Sequence, residues 1–91
     1  GRTMQYSCEE TALLISFMGP YFTRSSVSFS VQNQYGQIVQ RLQTNSLIRA
    51  DLLWIERAIL FLRPFWWPEH EDHRALTNAL LRTQALARES K

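Results

Sequence analysis

The sequence predicts a small all-α domain of four helices that associates as a dimer. Three observations carry that expectation. Apolar residues recur at spacings of three and four in four separate stretches of the 91-residue chain. Clusters of Gly, Pro, Ser, Thr and Asn separate those stretches. Only one segment alternates like a strand, and it has no second strand in the chain to pair with.

The first helix is expected over about 8–18. Ser7-Cys8-Glu9-Glu10 has the pattern of a capping box, in which the serine accepts a backbone N–H and Glu10 reaches back. Thr11, Leu14, Ile15 and Met18 then share one face. Gly19-Pro20 is read as the stop, since proline lacks a donor and glycine tolerates a left-handed turn.

Residues 26–43 support two readings. Val27, Phe29 and Val31 alternate with Ser26, Ser28, Ser30 and Gln32, the pattern of a short strand at 27–32 that would pair with its copy in a second subunit. The helical template explains more: Val27, Val31, Tyr35, Ile38, Val39 and Leu42 form one stripe. A helix over about 26–43 is therefore expected, capped by Ser25 or Ser26, with Gly36 a tolerable cost of about 1 kcal/mol.

Thr44-Asn45-Ser46 reads as a turn offering several N-caps. The third helix, about 47–63, is the most apolar and is expected at the centre of the fold. Ile48, Leu52, Ile55, Ile59 and Leu62 follow a 4-3-4-3 spacing, the seam of a helix packed lengthwise on another, and are assigned to the dimer interface. Leu47, Trp54, Ala58 and Phe61 form a second stripe. Arg49, Glu56 and Arg63 mark the polar line, and Leu53 and Leu60 interrupt it. Pro64 is read as ending this helix. The last helix is expected to start near Pro68, with Glu69, Glu71 and Asp72 suiting its dipole. Leu76, Ala79, Leu80, Thr83 and Leu86 form its inner face.

Composition bounds the function. The chain is 45% apolar and 20% charged, as a folded globule is, and its length suits one domain over 1–91. Residues 1–5 are expected to be flexible, with Gly1-Arg2-Thr3 ahead of Met4 a cloning remnant. Nine of the ten basic residues are arginine, but they are scattered and the net charge is only +2. That is not the basic stripe of a nucleic-acid binder. A single cysteine, Cys8, excludes an internal disulfide and a multi-cysteine zinc site. No signal peptide is seen, and the apolar run 52–62 is shorter than the roughly 20 residues that cross a bilayer. A cytoplasmic protein is expected.

No motif points to catalysis. There is no glycine-rich phosphate loop and no marked nucleophile. His70-Glu71-Asp72-His73 departs from the spacing of a zinc-binding helix, so it reads as an acidic helix start with two exposed histidines. No enzyme activity, metal or cofactor is expected.

The feature that does point outward is Arg63-Pro64-Phe65-Trp66-Trp67-Pro68. Neighbouring side chains face different ways, so three aromatics in a row cannot all enter one core. Each buries roughly 150–250 Å² when covered. Arg63, Phe65, Trp66 and Trp67 are therefore the expected partner-binding residues, with either Trp66 or Trp67 facing a second protein. The function expected is that of a small bacterial or phage regulator, inhibitor or adaptor that sequesters another protein, for example a transcription regulator. The alternative is a small helical DNA-binding regulator. A recognition helix must show polar groups to base edges, however, and the third helix is apolar nearly all round.

Overall fold

The computed structural model describes residues 8–23, 26–66 and 73–89, and every regular element among them is helical. Helix α1 spans Glu9–Phe22, α2 Phe29–Gln43, α3 Arg49–Trp66 and α4 His73–Glu89. The helical template thus holds over 29–43, and no strand forms among the described residues. No helix of the described residues is long and apolar enough to cross a membrane.

Helix α1 starts near the expected residue, but with Cys8 rather than Ser7 as its N-cap, and it does not stop at Gly19-Pro20. Cys8 takes the N-cap position in extended backbone without a side-chain capping bond, and Ser7 lies outside the described residues. Pro20 sits inside the helix, which runs on to Phe22. A proline removes one hydrogen bond and bends a helix without having to end it. Continuation places one further apolar side chain, Phe22, in the core. Thr23 closes the end, its backbone N–H and its hydroxyl both donating to the Gly19 carbonyl at 3.1 and 3.0 Å.

Helix α2 is capped by Ser28 rather than Ser25 or Ser26. The Ser28 hydroxyl accepts from the Val31 N–H at 3.4 Å. The expected stripe faces inward: Ile38 is buried, and Val27, Val31, Tyr35, Val39 and Leu42 pack against the core. Thr44-Asn45-Ser46 ends this helix rather than capping the next. Asn45 adopts the left-handed conformation at φ 55°. The Ser46 N–H donates to the Arg41 carbonyl at 2.7 Å and the Asn45 N–H to that of Leu42 at 3.1 Å. These are the paired bonds of a Schellman C-cap, with asparagine where glycine is commonest.

Helix α3 begins with a different device. Ile48 is positioned as the N-cap, and Asp51, three residues on, reaches back to accept its N–H at 3.0 Å. The same carboxylate accepts a fork from Arg41, Nε at 2.9 Å and Nη2 at 2.7 Å, which ties the end of α2 to the start of α3. Pro64, like Pro20, lies inside its helix, and α3 reaches Trp66. The acidic residues 69–72 precede the described start of α4, whose own first turn contains no acidic residue. The C-terminal end of α4 is held by Arg49, whose Nε donates to the Ala87 carbonyl at 3.0 Å. That carbonyl is one of those a helix end leaves without an internal donor.

The core forms where α1, α3 and α4 meet. Leu14, Ile15, Met18 and Phe22 come from α1, Leu52, Ile55, Ala58, Ile59 and Leu62 from α3, and Leu76, Ala79, Leu80 and Ala87 from α4. Helix α3 supplies the most apolar side chains, as expected. The hub is nevertheless α1, which packs extensively on α4 and also on α3 and α2. The small residues of α4 let it approach closely. At that contact Thr11 and Thr83, both fully buried, share a hydrogen bond of 3.1 Å, and the Cys8 thiol lies 3.3 Å from the Thr11 hydroxyl.

Candidate functional site

The residues assigned to a dimer interface fall mostly in the core of the single chain. Leu52, Ile55, Ile59 and Leu62 are buried within the single chain, and of the five only Ile48 is exposed, at 37%. A 4-3-4-3 stripe is as good a seam for packing on α1 and α4 as on a second copy, and here the chain covers it itself. The apolar side chains that α3 leaves on its surface are Ile48, Leu53, Leu60 and Phe61. Of the expected partner-binding residues, Arg63 is exposed near the end of α3. Phe65 and Trp66 lie in the last turn of α3, with their side chains outside the description, and Trp67 lies outside the described residues. So do His70, Glu71 and Asp72, and the side chain of His73.

The concave surface lies one to two turns earlier on α3. A groove of about 640 Å³ opens between the C-terminal end of α1, the start of α2 and the middle of α3. Its base is Phe22, which packs against Tyr35 with ring centroids 5.5 Å apart and against Trp54 at 5.4 Å. Trp54 is fixed in turn, its indole N–H donating to the Gln34 side-chain oxygen at 2.8 Å across to α2. Val27 and Val31 form one wall, and Ala58, Phe61 and Leu62 the other. Aromatic rings stacked in this way hold their shape without a ligand, so the surface is pre-formed.

Tyr35 links the groove to the proline-containing part of α1. Its hydroxyl donates to the Ile15 carbonyl at 2.9 Å, close to the turn in which Pro20 withholds a backbone donor. A Cβ on Gly19 would stand 3.0 Å from that hydroxyl, so a glycine is what lets the ring approach α1. Burial raises the Tyr35 phenol above its ordinary pKa of 10.0.

The polar groups of the groove are few and mostly engaged. The Ser28 hydroxyl caps α2 and the Gln34 oxygen holds Trp54. Arg57 is the single charged residue among those described as lining it. A smaller recess of about 210 Å³ lies on the other side of Trp54, next to Arg41 and Asp51, whose charges are committed to each other. No group of three metal-ligating side chains occurs among the described residues. What this arrangement can do is bind apolar surface.

Trp54 and Phe61 stand out in the sequence as a stripe beside the core seam, although not as a binding wall. Tyr21, Phe22 and Arg57 carry no such signal: reading Pro20 as a stop leaves the two rings in a loop, and Arg57 looks like any solvated arginine. Compared with known protein families, curated proteins and solved structures, the chain matches none.

Proposed function

We propose that this protein is a non-enzymatic interaction module that captures an apolar segment of another protein in the groove between α1, α2 and α3. It would act as a small regulator, inhibitor or adaptor by covering a partner's helical or dimerisation surface, for example that of a transcription regulator. The observation that carries this reading is Phe61. It lines the groove beside Trp54 and remains 72% exposed. A large ring held at a groove edge over a fixed aromatic base is the kind of anchor that dominates binding energy in protein interfaces. Arg63, Phe65 and Trp66 follow Phe61 along α3 and Trp67 follows them in the sequence, and these four are assigned to the same proposed contact.

The DNA-binding alternative is disfavoured by the outer face of α3. Leu53, Leu60 and Phe61 are exposed there and interrupt its polar groups, the exposed Arg49, Arg57 and Arg63 and the half-exposed Glu56. A recognition helix needs donors and acceptors there.

The test is affinity capture from the host extract with wild type, Phe61→Ser and Trp54→Ala. The reading expects a specific prey that Phe61→Ser loses while its circular dichroism stays that of the wild type. Prey retained by both variants would place the binding surface elsewhere, and binding of duplex DNA that weakens steeply with salt would favour the alternative.

A further inference from the structure

The groove has a length and a charge as well as an apolar character, and both restrict what fits it. On α3 its lining runs from Trp54 to Leu62, eight helical steps, or about 12 Å at the helical rise. Residues i and i+7 of a docked helix stand about 10.5 Å apart, so such a helix places three anchors, at i, i+4 and i+7, along this length. The groove is also open along the Phe61 side. Small-molecule sites enclose most of their ligand. A partner segment that brings its own covering surface suits an open groove better.

The charge comes from Arg57. It is the one charged side chain among the described lining residues, and it has no ion-pair partner among the described residues. No carboxylate lines the groove among the described residues. The hydroxyl of Ser28 and the oxygen of Gln34 are already occupied, and Arg57 is the charged group at the rim beside the neutral hydroxyls of Tyr21 and Ser26. An arginine fork presents two parallel donors to one carboxylate.

Resting on the proposed interaction function, we infer that the occupant is an amphipathic helix of a partner protein with an acidic flank. Its apolar anchors at i, i+4 and i+7 fill the space over Phe22 and Trp54, and a Glu or Asp beside them meets Arg57. Partners with basic flanks are rejected because their charge would face that of Arg57.

The experiment is a selection on the full chain. A phage-displayed library of 16-residue helix-forming peptides keeps Leu, Phe or Trp at i, i+4 and i+7 and randomises the flanks over Glu, Lys, Gln and Ser. The expected result is enrichment of Glu on one flank. The best clone should bind Arg57→Glu about three- to tenfold more weakly than wild type at low salt, the loss shrinking as salt is raised. Phe61→Ser should weaken it more than tenfold. Flanks that stay neutral or basic, or an Arg57→Glu variant with unchanged affinity, overturn the acidic assignment; if Phe61→Ser still abolishes binding, the groove function survives. Clones indifferent to Phe61→Ser remove the groove and the inference together. A selection that yields no helix, with sodium oleate bound by wild type and lost in Arg57→Gln, makes the occupant a lipid carboxylate and overturns the inference. A dimer in sedimentation that Phe61→Ser dissociates makes the occupant a second copy of this chain, and also overturns it.

Discussion

Replacing Asp51 by alanine removes three hydrogen bonds from one nearly buried carboxylate. Asp51 is 4% exposed and accepts the Ile48 N–H together with both arms of the Arg41 fork. Loss of the bond at the helix start costs about 1 kcal/mol, as loss of a capping group does. Loss of the fork costs about 1.5–3 kcal/mol for a charge-assisted contact. The lower end applies, because the Arg41 side chain is 36% exposed and water rehydrates the guanidinium once its partner is gone. The sum is about 2–3 kcal/mol, which for a domain of this size lowers the melting temperature by about 10–20 °C. Asp51→Asn keeps an oxygen for Ile48 and loses the charge, so it should cost about half as much. Urea unfolding of Asp51→Ala, Arg41→Ala and the double variant, followed by circular dichroism, gives the coupling, expected near 1 kcal/mol. A loss below about 0.5 kcal/mol for Asp51→Ala would refute this account of the α2–α3 junction, as would strictly additive single variants.

Three further outcomes are expected. Thr11→Val takes this bond from the buried Thr83 hydroxyl and should cost about 1–3 kcal/mol in equilibrium denaturation; Thr83→Val leaves Thr11 its contact with the Cys8 thiol and should cost less, and the double variant should cost less than the sum. The two helical glycines should respond oppositely. Gly36→Ala meets nothing within 4 Å and should stabilise by about 0.5–1 kcal/mol. Gly19→Ala presses on the Tyr35 hydroxyl and should destabilise, unless Tyr35→Phe removes that oxygen first; melting temperatures of the two singles and of the Gly19/Tyr35 pair decide it. The Tyr35 phenol has its pKa raised by burial, so its folded value lies above its unfolded one. Its contribution is fully present below pH 10.0 and is lost as pH rises through the folded value, so wild type should lose more stability than Tyr35→Phe above that pH.

Much of the fold is legible in the residues because helical periodicity is a local property. The inward stripe of α2 from Val31 to Leu42 and the inner face of α4 from Leu76 to Leu86 follow from spacing alone, and both pack as their spacing requires. The boundaries are less legible, since a proline or a serine run permits several endings of similar local energy. Pro20 and Pro64 stay inside their helices, one helix carrying on to bury Phe22 and the other to Trp66. Thr44-Asn45-Ser46 closes α2 rather than opening α3, because Asn45 accepts a left-handed backbone and the freed carbonyls of Arg41 and Leu42 need donors.

The sequence by itself determined the helices and their apolar faces. Which apolar stripe faces the chain and which faces outward was decided only by the tertiary packing. Leu52, Ile55, Ile59 and Leu62 are equally suited to an intramolecular and an intermolecular seam, and α1 and α4 reach them first. The groove exists for the same reason. Phe22, Trp54 and Phe61 belong to two helices far apart in sequence, and the base and walls they form arise only when α1 and α3 pack with α2 across their ends. Periodicity reports which side of a helix avoids water. It does not report what arrives to cover it, because that depends on contacts between residues distant in the chain.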